Sequence, residues 1–246
     1  MSVPESKSSP TGLRTVALVP AAGRGLRMGG SVPKQFLALG GRPILAQSLH
    51  VLQASPVIHE IILAVPQADR QYCLDHFVAP GEFGKVTKVV SGGAQRQDSV
   101  RHALAEVSEA DIILVHDAVR PFLTGDMIRR VVDAAAEHGA AIIALPMRDT
   151  VKYVGAGGVI ERTIDRGPLW LAQTPQAFRR ACLEEAHRKA LLGNIQATDD
   201  AHLVELLGKP VVVVEGSGEN IKVTRPEDLV IGEAILQSRT ATRSAE

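Results

Sequence analysis

Five short apolar runs punctuate the first 145 positions: TVALV (15–19), EIILAV (60–65), KVTKVV (85–90), DIILVH (111–116) and AAIIAL (140–145). Most are continuous rather than alternating, the pattern of strands buried on both faces of a parallel sheet. Between them the period becomes helical. In QDSVRHALAEV (97–107), Val100, Ala103, Leu104 and Val107 share one face. A second such stretch, GDMIRRVVDAAAEHG (125–139), ends in Gly139, which can close the helix. Strands alternating with helices of this length predict an α/β fold with a doubly wound, mostly parallel sheet.

The alternation then breaks. DTVKYVGAGGVIERTID (149–165) carries two strand-like runs around a Gly-rich turn and predicts a β-hairpin. It is followed by LWLAQTP (169–175), a helix over about 176–190 and a strand PVVVVEG (210–216). A last helix, RPEDLVIGEAILQS (225–238), has Pro226 in its first turn. The expected organisation is one domain over 15–238 with a protruding arm at about 149–166. Residues 1–14 and 239–246 read as disordered tails.

Composition narrows the function classes. Lys plus Arg and Asp plus Glu stand at 27 each in 246 residues, so the net charge is zero. A nucleic-acid partner would favour a basic excess. The two cysteines, Cys73 and Cys182, are far apart, which argues against a disulfide framework or a thiolate zinc site. No apolar run reaches the ~18 residues that span a bilayer. The polar opening lacks the apolar stretch of a secretory signal. A cytoplasmic protein without a membrane partner is expected.

The chemistry concentrates in ALVPAAGRGLRMGGSVPKQF (17–36), directly after the first predicted strand. In an open parallel sheet, ligands bind at the carboxyl ends of the strands. Glycines there let backbone N–H groups approach phosphate oxygens. The stretch is not a Walker A loop, since no Gly-Lys-Ser/Thr occurs. It is not a dinucleotide fingerprint either, because Met28 takes the third glycine position of G-x-G-x-x-G.

What remains, Gly-x-Gly-x-Arg-Met followed by Pro-Lys, resembles the signature of sugar-nucleotide pyrophosphorylases and other nucleotidyltransferases. Within that superfamily the chain is most similar to the 2-C-methyl-D-erythritol 4-phosphate cytidylyltransferases of the non-mevalonate isoprenoid pathway. GGAQRQDSV, HDAVRPF, RDT, TIDRG, LAQTPQAF, ATDDA and NIKVTRPEDL resemble that family in the same order, over about 15–236. The resemblance implies a Rossmann-like nucleotidyltransferase fold. It also implies cytidylyl transfer from CTP to methylerythritol phosphate with Mg²⁺ or another divalent cation, in a homodimer joined through the arm.

Carried over residue by residue, it implies that Arg27, Lys34, Arg166 and Lys222 are catalytic. CTP would lie against Pro20, Ala21, Ala22, Gly23, Gly25, Arg27, Lys34, Gly92, Gly93, Ser99, Asp117 and Ala118. The acceptor would meet Arg120, Thr150, Arg166, Thr174, Thr198 and Lys222. Relatives often carry an acidic residue where Ala94 stands, so one base contact reduces to backbone here. Asp117, at the end of a predicted strand, is the best candidate for a metal-linked carboxylate or for a ribose contact. Arg120 is a ligand contact or the salt-bridge partner of Asp117. His116 reads as structural, since no second histidine stands at ligand spacing. Arg24 reads as solvated. Two rivals stand: a ribitol-5-phosphate cytidylyltransferase, and a nucleotide-binding module on this fold without catalysis.

Overall fold

The computed structural model describes residues 12–23 and 33–245. Gly25 and Arg27, and with them Arg24, lie outside the described residues. The chain opens with β1 (Thr15–Pro20), two short strands β2 (Ala38–Leu39) and β3 (Arg42–Pro43), and helix α1 (Ile44–Ala54). Then come β4 (Glu60–Val65), α2 (Arg70–Cys73), β5 (Val86–Ser91), α3 (Arg96–Ala105), β6 (Ile112–Val115), α4 (Gly125–His138) and β7 (Ala140–Pro146). The hairpin is β8 (Val151–Val154) with β9 (Ile160–Ile164). The chain finishes with β10 (Trp170–Arg179), α5 (Arg180–Leu192), α6 (Asp200–Glu205), β11 (Val212–Glu215) and α7 (Pro226–Ala245).

Seven strands form one sheet in the order β11-β7-β10-β6-β1-β4-β5. Neighbours are parallel except around β10, which runs antiparallel to both β6 and β7. Alternate residues of β1 enter opposite layers. Ala17 and Val19 pack with Leu45, Leu49 and Val131 on one face, whereas Val16 and Leu18 pack with Val100, Leu104 and Leu183 on the other. This two-sided burial is why the strands read as unbroken apolar runs. Helix α4 starts at Thr124, whose hydroxyl accepts the Met127 N–H at 3.2 Å, and stops at Gly139 with φ 93°. The hairpin forms its own two-stranded sheet, apart from the main one.

Three expectations are corrected. The helix expected from about 176 begins at Arg180, because Gln176–Arg179 complete β10. Ala177 and Phe178 enter opposite core layers, the alternation of a strand, and pair with β6 and β7 on either side. The tail expected at 239–246 is helical through Ala245, and Arg239 is tied to Glu219 at 2.9 Å and to the Phe122 carbonyl at 3.1 Å. The expected leading tail is anchored where it is described. Leu13 packs on the core, and Arg14 bonds Asp111 at 2.7 Å and Glu60 at 3.0 Å.

Candidate active site

The chain leaves β1 for β4 and β5 on one side, then returns to β6 on the other. The turning point is the carboxyl end of β1 beside β6, where open α/β sheets bind ligands. A cavity of about 140 Å³ opens there. Its walls are Pro20–Gly23 after β1, Lys34 and Gln35, the Gly93–Arg96 loop with Ser99, Asp117–Val119 after β6, and Lys222. The antiparallel course of β10 brings Thr174 to the same end of the sheet, where its hydroxyl meets the Asp117 N–H at 3.0 Å.

The glycine turn after β5 is set by close approach. A Cβ on Gly92 would lie 2.3 Å from the Ala22 Cβ, and one on Gly93 would lie 2.1 Å from the Asp98 Cβ. The Ser99 hydroxyl accepts the Gly93 N–H at 3.1 Å and donates to the Gln95 carbonyl at 3.1 Å. One lone pair of that oxygen remains for a donor. The side chain of Lys34 curls toward Gly23, where a Cβ would sit 3.7 Å from the Lys34 Cε.

Asp117 is buried, and both its oxygens are engaged. Oδ1 accepts from Arg96 Nε at 2.8 Å and Oδ2 meets Lys222 Nζ at 2.6 Å. Burial opposes the charged form, but Arg96 and Lys222 hold the carboxyl well below the ordinary range. Arg96 also pairs with Asp200 at 2.7 Å, and Asp200 bonds His187 at 3.0 Å. Each Asp117 oxygen keeps a second lone pair beyond its contact with Arg96 or Lys222, so the pairing leaves room for the metal-linked or ribose role expected of this carboxylate. Among the described residues no group of three His, Cys, Asp or Glu gathers that could hold a metal ion.

His116 is structural, as expected. Its ring nitrogens meet the Arg120 carbonyl at 3.0 Å and the Thr174 hydroxyl at 3.2 Å. The carbonyl requires a proton on Nε2, so Nδ1 accepts from Thr174. Burial pushes the imidazole down to about 4, which keeps it neutral.

The acceptor residues separate. Lys222 lines the cavity. Thr174 is not a wall of the cavity; its hydroxyl donates to His116 and accepts the Asp117 N–H. Arg120 is neither a cavity wall nor the partner of Asp117. Its guanidinium donates to the Asn220 carbonyl at 2.7 Å, two residues before Lys222. Thr150, Arg166 and Thr198 are exposed and lie outside the cavity, and Arg166 donates to the Arg148 carbonyl. Four wall residues escape the sequence reading, Gln35, Gln95, Arg96 and Val119, and two of them are polar groups with consequences. Arg96 stands inside GGAQRQDSV, a block whose glycines and hydroxyl alone carry that reading. Gln35 follows Lys34. It is 1% exposed, and neither end of its carboxamide has a hydrogen-bond partner among the described residues.

Comparison with known proteins decides the family. Residues 15–238 match the family model described as IspD, 2-C-methyl-D-erythritol 4-phosphate cytidylyltransferase.

The chain belongs to this family.

The enzyme of that name from Syntrophus aciditrophicus is 49% identical over 225 residues, covering 91% of this chain and 96% of the relative. The one from Geobacter metallireducens is 45% identical over 227 residues, covering 91% and 97%. Among solved structures, the 2-C-methyl-D-erythritol 4-phosphate cytidylyltransferase of Thermus thermophilus superposes with a TM-score of 0.75 at 37% identity. That match covers 92% of this chain and all 100% of the other. The 4-diphosphocytidyl-2C-methyl-D-erythritol synthase of Anaerococcus prevotii gives a TM-score of 0.80 at 30% identity, covering 92% and 96%. The chain is thus a nucleotidyltransferase of the cytidylyl-transferring kind, and neither rival reading is favoured.

Proposed function

We propose that this cavity seats CTP with its base at the Gly92–Ser99 turn and its triphosphate between the post-β1 loop and Lys34. Lys222 then presents the phosphate of 2-C-methyl-D-erythritol 4-phosphate to the α-phosphorus. The products are 4-diphosphocytidyl-2-C-methyl-D-erythritol and pyrophosphate. The observation that carries this reading is the convergence of Lys34, Lys222 and the Gly93 turn on one cavity at the sheet's switch point. The remaining lone pair of Ser99 suits a donor on the base edge, such as an exocyclic amino group.

The nucleophile is a phosphate monoester whose second pKa is near ~6, so it arrives mostly as a dianion at neutral pH. No general base is required. His116, buried and bonded at both nitrogens, is not one. The barrier is electrostatic. A dianion approaches a polyanion, and charge builds on the departing pyrophosphate. Lys34 answers on the leaving side and Lys222 on the acceptor side. By family resemblance Arg27 joins Lys34.

Magnesium would arrive with the triphosphate and neutralise part of its charge, and Asp117, whose oxygens each keep a second lone pair, is the carboxylate that would help hold it. The reading also keeps the enzyme in the cytoplasm, where the free thiols Cys73 and Cys182 would stay reduced. Among the described residues no helix is long and apolar enough to cross a membrane.

The arm completes the proposal. Arg166 at its base is exposed and outside the cavity of its own chain, so we assign it to the acceptor side of a second copy's site in a homodimer. Pyrophosphate release measured with CTP and a panel of polyol phosphates tests the substrate. Methylerythritol phosphate should support turnover and ribitol 5-phosphate should not; the reverse overturns the assignment.

A further inference from the structure

We propose that Arg96 is a positioning residue for this reaction. By sharing Asp117 with Lys222, it keeps the Lys222 ammonium exchangeable between that carboxylate and the acceptor phosphate. Four charges form one chain across the site: Lys222 to Asp117 at 2.6 Å, Asp117 to Arg96 at 2.8 Å, and Arg96 to Asp200 at 2.7 Å. Two cations face two carboxylates, so the chain is neutral as it stands. Its members differ in exposure. The side chains of Asp117 and Asp200 are 8% and 1% exposed, whereas that of Lys222 is 39% exposed. Lys222 is therefore the member able to swing toward a ligand.

An ammonium held at 2.6 Å by a buried carboxylate is a poor phosphate clamp unless that carboxylate has a second cation. Arg96 supplies it from the opposite oxygen. When Lys222 turns to the acceptor phosphate, Asp117 stays paired rather than becoming an isolated buried charge, which would be costly. The guanidinium is fixed for this task. Nε holds Asp117, and Nη1 is anchored on Asp200, which His187 bonds from behind at 3.0 Å. The charge of Arg96 is thus set between two carboxylates rather than left to a solvated side chain.

The proposal rests on the reading that Lys222 holds the acceptor phosphate, so Lys222→Ala is measured beside it. In the full-length enzyme, Arg96→Met should raise the acceptor KM about tenfold or more, a clearly larger factor than the rise it causes in the CTP dissociation constant by calorimetry, since Arg96 also lines the nucleotide cavity. Arg96→Lys, which keeps the charge, should recover most of that loss. Adding Asp117→Asn to Arg96→Met should lower the acceptor KM again, because the carboxylate that traps Lys222 is then neutral. If Arg96→Met does not fold, Arg96→Lys decides alone, with about a threefold rise in acceptor KM expected. An acceptor KM that responds to Lys222→Ala but not to the Arg96 variants overturns the proposal alone. One indifferent to Lys222→Ala overturns the reading beneath it. Equal losses of CTP and acceptor binding in Arg96→Met, with no relief from Asp117→Asn, mark Arg96 as structural and overturn the positioning role.

Discussion

At the carboxyl ends of β1 and β6, Asp117 and Asp200 are buried and matched by Arg96 and Lys222 from the same chain. Along the arm, Tyr153, Val154, Val159 and Ile160 stand 49%, 50%, 65% and 57% exposed on a ribbon of two strands. The cavity's charges are paired within one chain, on loops and helix starts at one end of a seven-stranded sheet. The arm meets none of those conditions. A two-stranded ribbon is marginal in water, and exposed apolar side chains in a row mark a surface that another molecule covers. In the proposed reading one chain builds the nucleotide half of the site, and a second copy covers the arm.

The sharpest way to break that division is to put one lesion in each region. Lys34→Ala in the cavity and Arg166→Ala at the arm base should each lower kcat by ~10²-fold or more with the fold intact. If the arm serves the partner, a mixed dimer collects both lesions in one site and leaves the other whole. Co-refolding equal amounts should then return about a quarter of wild-type activity. Verified mixed dimers that stay inactive would place Arg166 at its own chain's site.

Next in size is a pH effect confined to the cavity's scaffold. His116 falls from an ordinary 6.5 to about 4 in the folded state, so between those values the unfolded chain binds more protons. Stability should be full above about 6.5 and decline as pH falls toward 4, by up to roughly 3 kcal/mol. Asp117 and Asp200 are also depressed, and their contributions fade only at still lower pH. Denaturant unfolding at pH 7 and pH 4.5 measures the loss, and His116→Gln should remove most of it. An unchanged loss in that variant would assign the effect to another group.

The smallest expected effect belongs to the arm's surface. Val159→Ser with Ile160→Ser should weaken self-association about tenfold or more, while CTP affinity per chain stays within about twofold. Sedimentation across a dilution series reads the first and calorimetry the second. A monomer at all concentrations in the unmutated protein would remove the dimer from the account.

Much of this molecule was legible in its order of residues. The parallel strands were, because burial on both faces forces a continuous apolar run and the pattern is local. The hairpin was, because its turn needs positive φ at Gly157 and Gly158, 76° and 78°, where glycine is favoured. The family was, because its blocks keep their sequence order. Other features depended on neighbours. Gln176–Arg179 became strand rather than helix only because β6 and β7 lie on either side of them. Thr174 matched a family threonine, yet His116 and the Asp117 amide claim its hydroxyl. Arg96 was one cation in a polar loop until folding set it beside Asp117, 21 positions away, and Asp200, 104 positions away. Periodicity reports what each residue does among its near neighbours in the chain. Charge pairing is a contact force, and strand order determines which distant residues come within its reach.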